Sequence, residues 1–174
     1  MTHSYADPLS LSRRVLRLVI ALNLLVGALI LVLLIASFVN EPWVVRALGE
    51  GPSPGSSRLI MAMRLIMVLG ICATPIVHVV LSRLLTIVDT VSVGNPFIVA
   101  NAERLKTIAW AILALELMHF TVGMIAQAVS SDVAQMHIDW GFSLTRWLAV
   151  LMLFVLARVF EQGARMREDL EGTA

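Results

Sequence analysis

The sequence predicts an all-α integral membrane protein, a four-helix bundle with both termini in the cytoplasm. Three observations carry that expectation: long uncharged apolar runs, Lys and Arg gathered at alternate ends of those runs, and one polar, turn-forming elbow at 83–106. With 59% apolar and only 14% charged residues, the 174-residue chain has more apolar surface than one soluble core can hide, so lipid must cover much of it. The net charge of +1 comes from dispersed basic residues and forms no stripe, so direct nucleic-acid binding is not expected. Cys72 is the single cysteine, which excludes an internal disulfide and a cysteine metal site.

One transmembrane domain, 1–174, is expected, with helices at about 15–39, 59–88, 105–129 and 141–160, the last continuing to about 170. Arg13, Arg14 and Arg17 precede the uncharged run 18–39, and its 22 residues at ~1.5 Å each span the roughly 30 Å hydrocarbon layer. That run is longer than a signal-peptide core and lacks a good small-x-small cleavage site, so it reads as a retained helix. The segment 40–58 is rich in Gly, Pro and Ser and must be aqueous. The second helix contains Pro75, which removes the bond to the Ile71 carbonyl and is expected to bend it. The third and fourth apolar runs follow the elbow, separated by an acidic loop holding Asp132 and Asp139.

Residues in the elbow have local duties. Gly94 can take the positive φ that ends a helix, Asn95 can cap the next one, and Pro96 suits a first helical position. Asn101 is a second N-cap candidate, with Glu103 in the favourable first turn. One reading is a stop and a restart of helix; the other adds a docking surface for a cytoplasmic partner at Phe97, Arg104 and Lys106.

Nine of the 13 basic residues (Arg13, Arg14, Arg17, Arg83, Arg104, Lys106, Arg158, Arg165 and Arg167) fall on the side of the termini and elbow. Arg46, Arg58, Arg64 and Arg146 fall on the other. The positive-inside rule therefore puts the termini and elbow in the cytoplasm. Trp43, Trp140 and Trp147 then mark the outer interface and Trp110 the inner one.

Glu116 lies eleven residues past Leu105, ~16 Å into the layer, where an unpaired carboxylate costs at least ~2.5 kcal/mol. Similar counting places His78 ~10 Å, Asn23 ~12 Å and Thr74 ~16 Å deep, which allows an intramembrane polar cluster of Asn23, Thr74, His78 and Glu116. Such a cluster is either a hydrogen-bonded clamp between helices or a proton- or ligand-responsive site. Glu116-x-x-His119 has the spacing used in di-iron bundles, but only one copy exists, so no metal is expected. On the outer side, Arg64 and Arg146 either snorkel or pair with Asp132, Asp139 or Glu50; the other reading is an anion site, with His119 and Gln127 nearby. In the tail, Arg158, Arg165 and Arg167 alternate with Glu161, Glu168, Asp169 and Glu171 around Val159, Phe160, Met166 and Leu170.

Gly94-Asn95-Pro96-Phe97, then Asn101-Ala102-Glu103-Arg104-Leu105, and later Val159-Phe160-Glu161-Gln162-Gly163-Ala164-Arg165-Met166-Arg167-Glu168-Asp169-Leu170, resemble the motifs of a family of small bacterial four-helix inner-membrane proteins of unknown function. Ala100 stands where that family often has an acidic residue, and Glu171-Gly172-Thr173 departs from its usual tail. Members are commonly encoded beside a helix-turn-helix regulator, which implies a transcription regulator as cytoplasmic partner. The resemblance and the charges together point to docking residues Gly94, Pro96, Phe97, Asn101, Arg104, Lys106, Arg165, Arg167 and Asp169.

No phosphate loop, nucleophile elbow or pair of metal-ligand motifs is present, so neither an enzyme nor a cofactor is expected. The leading reading is a multi-pass regulatory or sensory membrane protein that binds a cytoplasmic partner. The alternative is a small oligomeric transporter or channel component, and a homo-oligomer is compatible with either. The ligand and the sign of regulation stay open.

Overall fold

The structure is a computed structural model and describes residues 8–40, 54–94, 97–130 and 144–171. Its described residues form four helices: α1 (Pro8–Val39), α2 (Pro54–Ser92), α3 (Val99–Ser130) and α4 (Leu144–Glu171). The first three are long and apolar enough to cross a membrane. The expected fourth span is a helix from Leu144, but Arg146 near one end and Arg158 and Glu161 near the other leave only residues 147–157 between charges.

The helices α1, α2 and α3 extend beyond the apolar runs that announced them. α1 is helical from Pro8 and α2 from Pro54, the first described residue of each. α2 has 39 residues and continues through Pro75. It stops at Ser92, where the Gly94 amide donates to the Val91 carbonyl (3.0 Å) and Gly94 takes φ +83°, the left-handed backbone expected of it.

The chain divides into two compact units. The first gathers Met1–Asn23, Ile76–Ala114 and Ser143–Ala174; the second gathers Leu24–Pro75 and Leu115–Phe142. In the first unit, α3 buries Asn101, Ala102, Leu105, Ile108 and Ala109, spaced as one helical face. On α4 the buried Val150, Ala157 and Ala164 recur every seven residues. Trp110 of α3 meets Phe154 of α4 edge-on, with centroids 5.3 Å apart.

In the second unit, α1 and α2 approach closely at Gly27. A Cβ there would lie 2.6 Å from Thr74 Cγ2, so only glycine fits this crossing. The Thr74 hydroxyl donates to the Gly70 carbonyl at 3.1 Å, and both it and the methyl stand against Gly27 of α1. Ile60 and Ala62 are buried, whereas Leu25, Leu29, Val32, Ile35 and Phe38 of α1 are exposed. Apart from Gly27, the most apolar stretches of α1 and α2 stay largely uncovered within the protein.

Candidate functional site

The elbow gathers one end of every helix in the first unit. Asp89 and Thr90 are neighbours in the last turn of α2, and each holds a different helix. Asp89 Oδ1 lies 2.7 Å from Arg13 Nε of α1, an approach that satisfies the ion-pair distance without an aligned Nε–H hydrogen bond. Another Arg13 nitrogen donates to the Ser92 hydroxyl. Asp89 is the one carboxylate in α2, and Arg13 the cation it holds.

Thr90 holds α3. The Asn101 side-chain amide donates to the Thr90 hydroxyl at 2.8 Å, and Arg104 Nη1 donates to Asn101 Oδ1 at 2.7 Å. Asn101 is 0% exposed, the most buried polar side chain among the described residues. It is not the N-cap expected from sequence: α3 begins two residues earlier at Val99, and the Asn101 amide already donates to the Ile98 carbonyl at 2.9 Å. A capping side chain would fold onto its own helix; this one is spent across helices. Its burial also withdraws Asn101 from any surface a partner could touch.

Phe97 holds α4. Its ring lies 5.2 Å from that of Phe160 and over Gly163, where an added Cβ would meet Phe97 Cδ1 at 3.0 Å. The ring is nevertheless 44% exposed. Lys106, Arg165, Arg167 and Asp169 are exposed around this end of the unit, and Arg165 donates to Glu161 at 2.7 Å one turn away. Asn95 and Pro96 lie outside the described residues.

The residues expected to form an intramembrane cluster divide between units, with Asn23 and His78 in the first and Thr74 and Glu116 in the second. His78 Nδ1 is buried without a hydrogen-bond partner among the described residues, while the His78 carbonyl accepts from the Ser82 hydroxyl. Glu116 and His119 are half-buried, and neither lacks a partner. Among the described residues no three His, Cys, Asp or Glu side chains gather as metal ligands would.

Arg64, expected to snorkel, to pair with an acidic residue or to hold an anion, reaches the last turn of α1. Its Nε donates to Ser37 Oγ at 3.0 Å, another nitrogen donates to the Ser37 carbonyl at 2.6 Å, and its guanidinium lies 4.3 Å over the Phe38 ring. Ser37 is two residues from the end of α1, where carbonyls lack intrahelical donors and the helix dipole favours a cation. Arg146 belongs to the first unit and also has a partner. Glu50, Asp132 and Asp139 lie outside the described residues.

A family described as "Protein of unknown function (DUF2975)" matches residues 37–173. The chain belongs to that family. No curated protein and no solved structure matches it. The DUF2975 match takes in Asp89, Thr90, Phe97, Asn101, Arg104, Phe160 and Gly163, and in the second unit Ser37 and Arg64; it leaves Arg13 and Gly27 outside. Sequence reasoning passed over the Thr90–Asn101 and Arg13–Asp89 pairs. The one available signal was that α2 carries a single acidic residue, beside a threonine, in its last turn.

Proposed function

We propose that this protein is a multi-pass protein of the bacterial inner membrane, with both termini and the elbow in the cytoplasm, and that it acts as a regulatory or sensory partner of a cytoplasmic protein. The observation that carries the reading is the seat of Phe97 on Phe160 and Gly163, which joins elbow and tail into one surface. The pairs Arg13–Asp89, Asn101–Thr90 and Phe97–Phe160 bring the start of α1, the elbow and the late part of α4 to one end of the first unit. That is the arrangement a protein with both termini on one side needs, and the side with most basic residues is the cytoplasmic one. Arg146 and Arg158 of α4 then reach the interfaces by snorkelling.

The exposed edge of Phe97 with Arg165 and Arg167 suits a partner with an acidic groove. A helix-turn-helix regulator is the candidate, because capture at the membrane would remove it from its operator.

Two measurements test this. Cysteine labelling should find 56 and 135 outside and 91 and 168 inside; an external signal at 91 overturns the topology. Co-purification with a candidate helix-turn-helix regulator should succeed for the native chain and fail for Arg165→Glu/Arg167→Glu that inserts normally. Equal recovery with both, or with neither, removes the docking surface.

A further inference from the structure

Of the ten basic residues of the first unit, Arg146 and Arg167 have partners and Arg14 is exposed three residues nearer the elbow than Arg17; the other seven fall into two groups. Arg13, Arg104 and Arg165 are engaged within the fold by Asp89 and Ser92, by Asn101 and by Glu161 respectively. Arg17, Arg83, Lys106 and Arg158 are all exposed, and none has a hydrogen-bond or ion-pair partner among the described residues. Each stands on a different helix.

The contacts between helices fix the level of these four. Arg17 is four residues beyond Arg13 along α1, ~6 Å farther from the elbow than the Arg13–Asp89 pair. Arg83 is six residues before Asp89 along α2, ~9 Å from the same pair. Lys106 is five residues beyond Asn101, ~7.5 Å from the Asn101–Thr90 bond. Lys106 and Arg158 each lie four residues toward the elbow from the Trp110–Phe154 contact, so α3 and α4 present them side by side in height. All four levels agree within ~3 Å, less than the length of an arginine side chain.

The belt lacks counter-charges of its own. Asp89, Glu103 and Glu161 all lie on its elbow side, and no acidic residue occurs in 14–20, 80–86, 105–110 or 154–160. On its other side are exposed apolar side chains, among them Leu18, Leu22, Val79, Val155 and Leu151. Trp110, 58% exposed, is at the same border, as interfacial tryptophans are.

We propose that Arg17, Arg83, Lys106 and Arg158 form a belt that binds the phosphate headgroups of anionic phospholipid. Four cations at one depth, just above an uncovered apolar surface, match a row of headgroup phosphates, and guanidinium groups can grip phosphate oxygens in pairs. The belt rests on the membrane reading above but not on the partner. It assigns Lys106, five residues beyond Asn101 along α3, to lipid and leaves Phe97, Arg165 and Arg167 to the docking surface.

The test uses full-length protein in phosphatidylcholine vesicles containing spin-labelled phosphatidylglycerol or spin-labelled phosphatidylcholine. The motionally restricted fraction of each label reads its association with the protein. Native protein is expected to favour phosphatidylglycerol roughly three- to five-fold. Lys106→Gln/Arg158→Gln should lower that preference by at least about half, whereas Lys106→Arg/Arg158→Lys and the charge-matched Arg165→Gln/Arg167→Gln should keep it. Should the first double variant not assemble, Lys106→Gln alone serves, with a smaller fall expected.

Equal restricted fractions for both lipids with native protein would overturn the belt while leaving the membrane reading standing. No restricted fraction with either lipid would overturn both. Equal loss of preference in the Arg165/Arg167 variant would show diffuse charge and overturn the belt. Abolition of the preference by inorganic phosphate, but not by chloride at the same ionic strength, would show a free-oxyanion site and overturn the lipid assignment.

Discussion

Among the described residues the two units each bury one polar residue, and they use it differently. In the first unit, Asn101 works through its side chain, donating to Thr90 and accepting from Arg104. In the second, Ser37 works largely through its main chain, whose carbonyl takes the shorter of the two Arg64 bonds. A side-chain joint depends on the residue at that position. A main-chain joint depends on the residue that reaches it, so the sensitive position moves to Arg64.

The largest expected effect follows from the first joint. Asn101→Leu leaves the Thr90 hydroxyl and an Arg104 nitrogen facing an apolar group at a fully buried site, and should lower stability by about 2–3 kcal/mol in an unfolding titration in mixed micelles. Thr90→Val, which keeps shape but removes the hydroxyl, should reproduce about half of that loss. A loss below about 0.5 kcal/mol for Asn101→Leu would mean that water reaches the joint and that its burial has no energetic consequence.

Next in size is the crossing of α1 and α2. Gly27→Val puts atoms where Thr74 already stands, and overpacking of this kind costs about 1–3 kcal/mol. Thr74→Ala removes the obstructing methyl, so the double variant should recover much of the loss. Failure to recover would indicate that the backbones, and not these two side chains, set the approach.

These cases also show what was legible in the sequence. The three long apolar helices were, because lipid demands ~20 apolar residues in a row. Gly94 was legible too, since a helix stop with positive φ strongly favours glycine. Helix ends were not. Hydropathy marks only the part of a helix that lipid covers, whereas α1 continues back to Pro8 and α3 starts at Val99, six residues before the expected 105. In those added turns the polar side chains Arg13 and Asn101 meet partners on α2, and such partners are 79 and 11 residues away along the chain. Propensity at Asn101 suggested an N-cap, whereas in the fold its side chain is turned toward Thr90 and Arg104. What Arg64 does at Ser37 was not legible either: a cation inside an apolar run suggested snorkelling, an acidic partner or an anion, and the sequence does not show that the last turn of α1 presents a carbonyl and a hydroxyl to it.

Arg64→Met is the third test. It strips the Ser37 carbonyl and hydroxyl of their donor and removes the cation from the Phe38 face, and should cost about 1–2 kcal/mol. Arg64→Lys restores a charge but not the two-pronged geometry, so it should recover only part. Full recovery by lysine would make the helix dipole, and not the paired hydrogen bonds, the chief term.

The smallest effect is expected at Ser37 itself, despite its being 2% exposed. Ser37→Ala removes the 3.0 Å bond from Arg64 Nε but leaves the 2.6 Å bond to the carbonyl and the contact with Phe38. Arg64 is only half-buried, so the freed Nε can turn to water and is not left as an unsatisfied buried donor. Alanine is also the better helix former and fits the same volume without a cavity. The net loss should therefore be no more than about 0.5 kcal/mol, several times less than for Asn101→Leu in the same titration. A Ser37→Ala loss as large as that of Arg64→Met would show that the hydroxyl carries the joint, and the contrast between the two units would then be one of residue type alone.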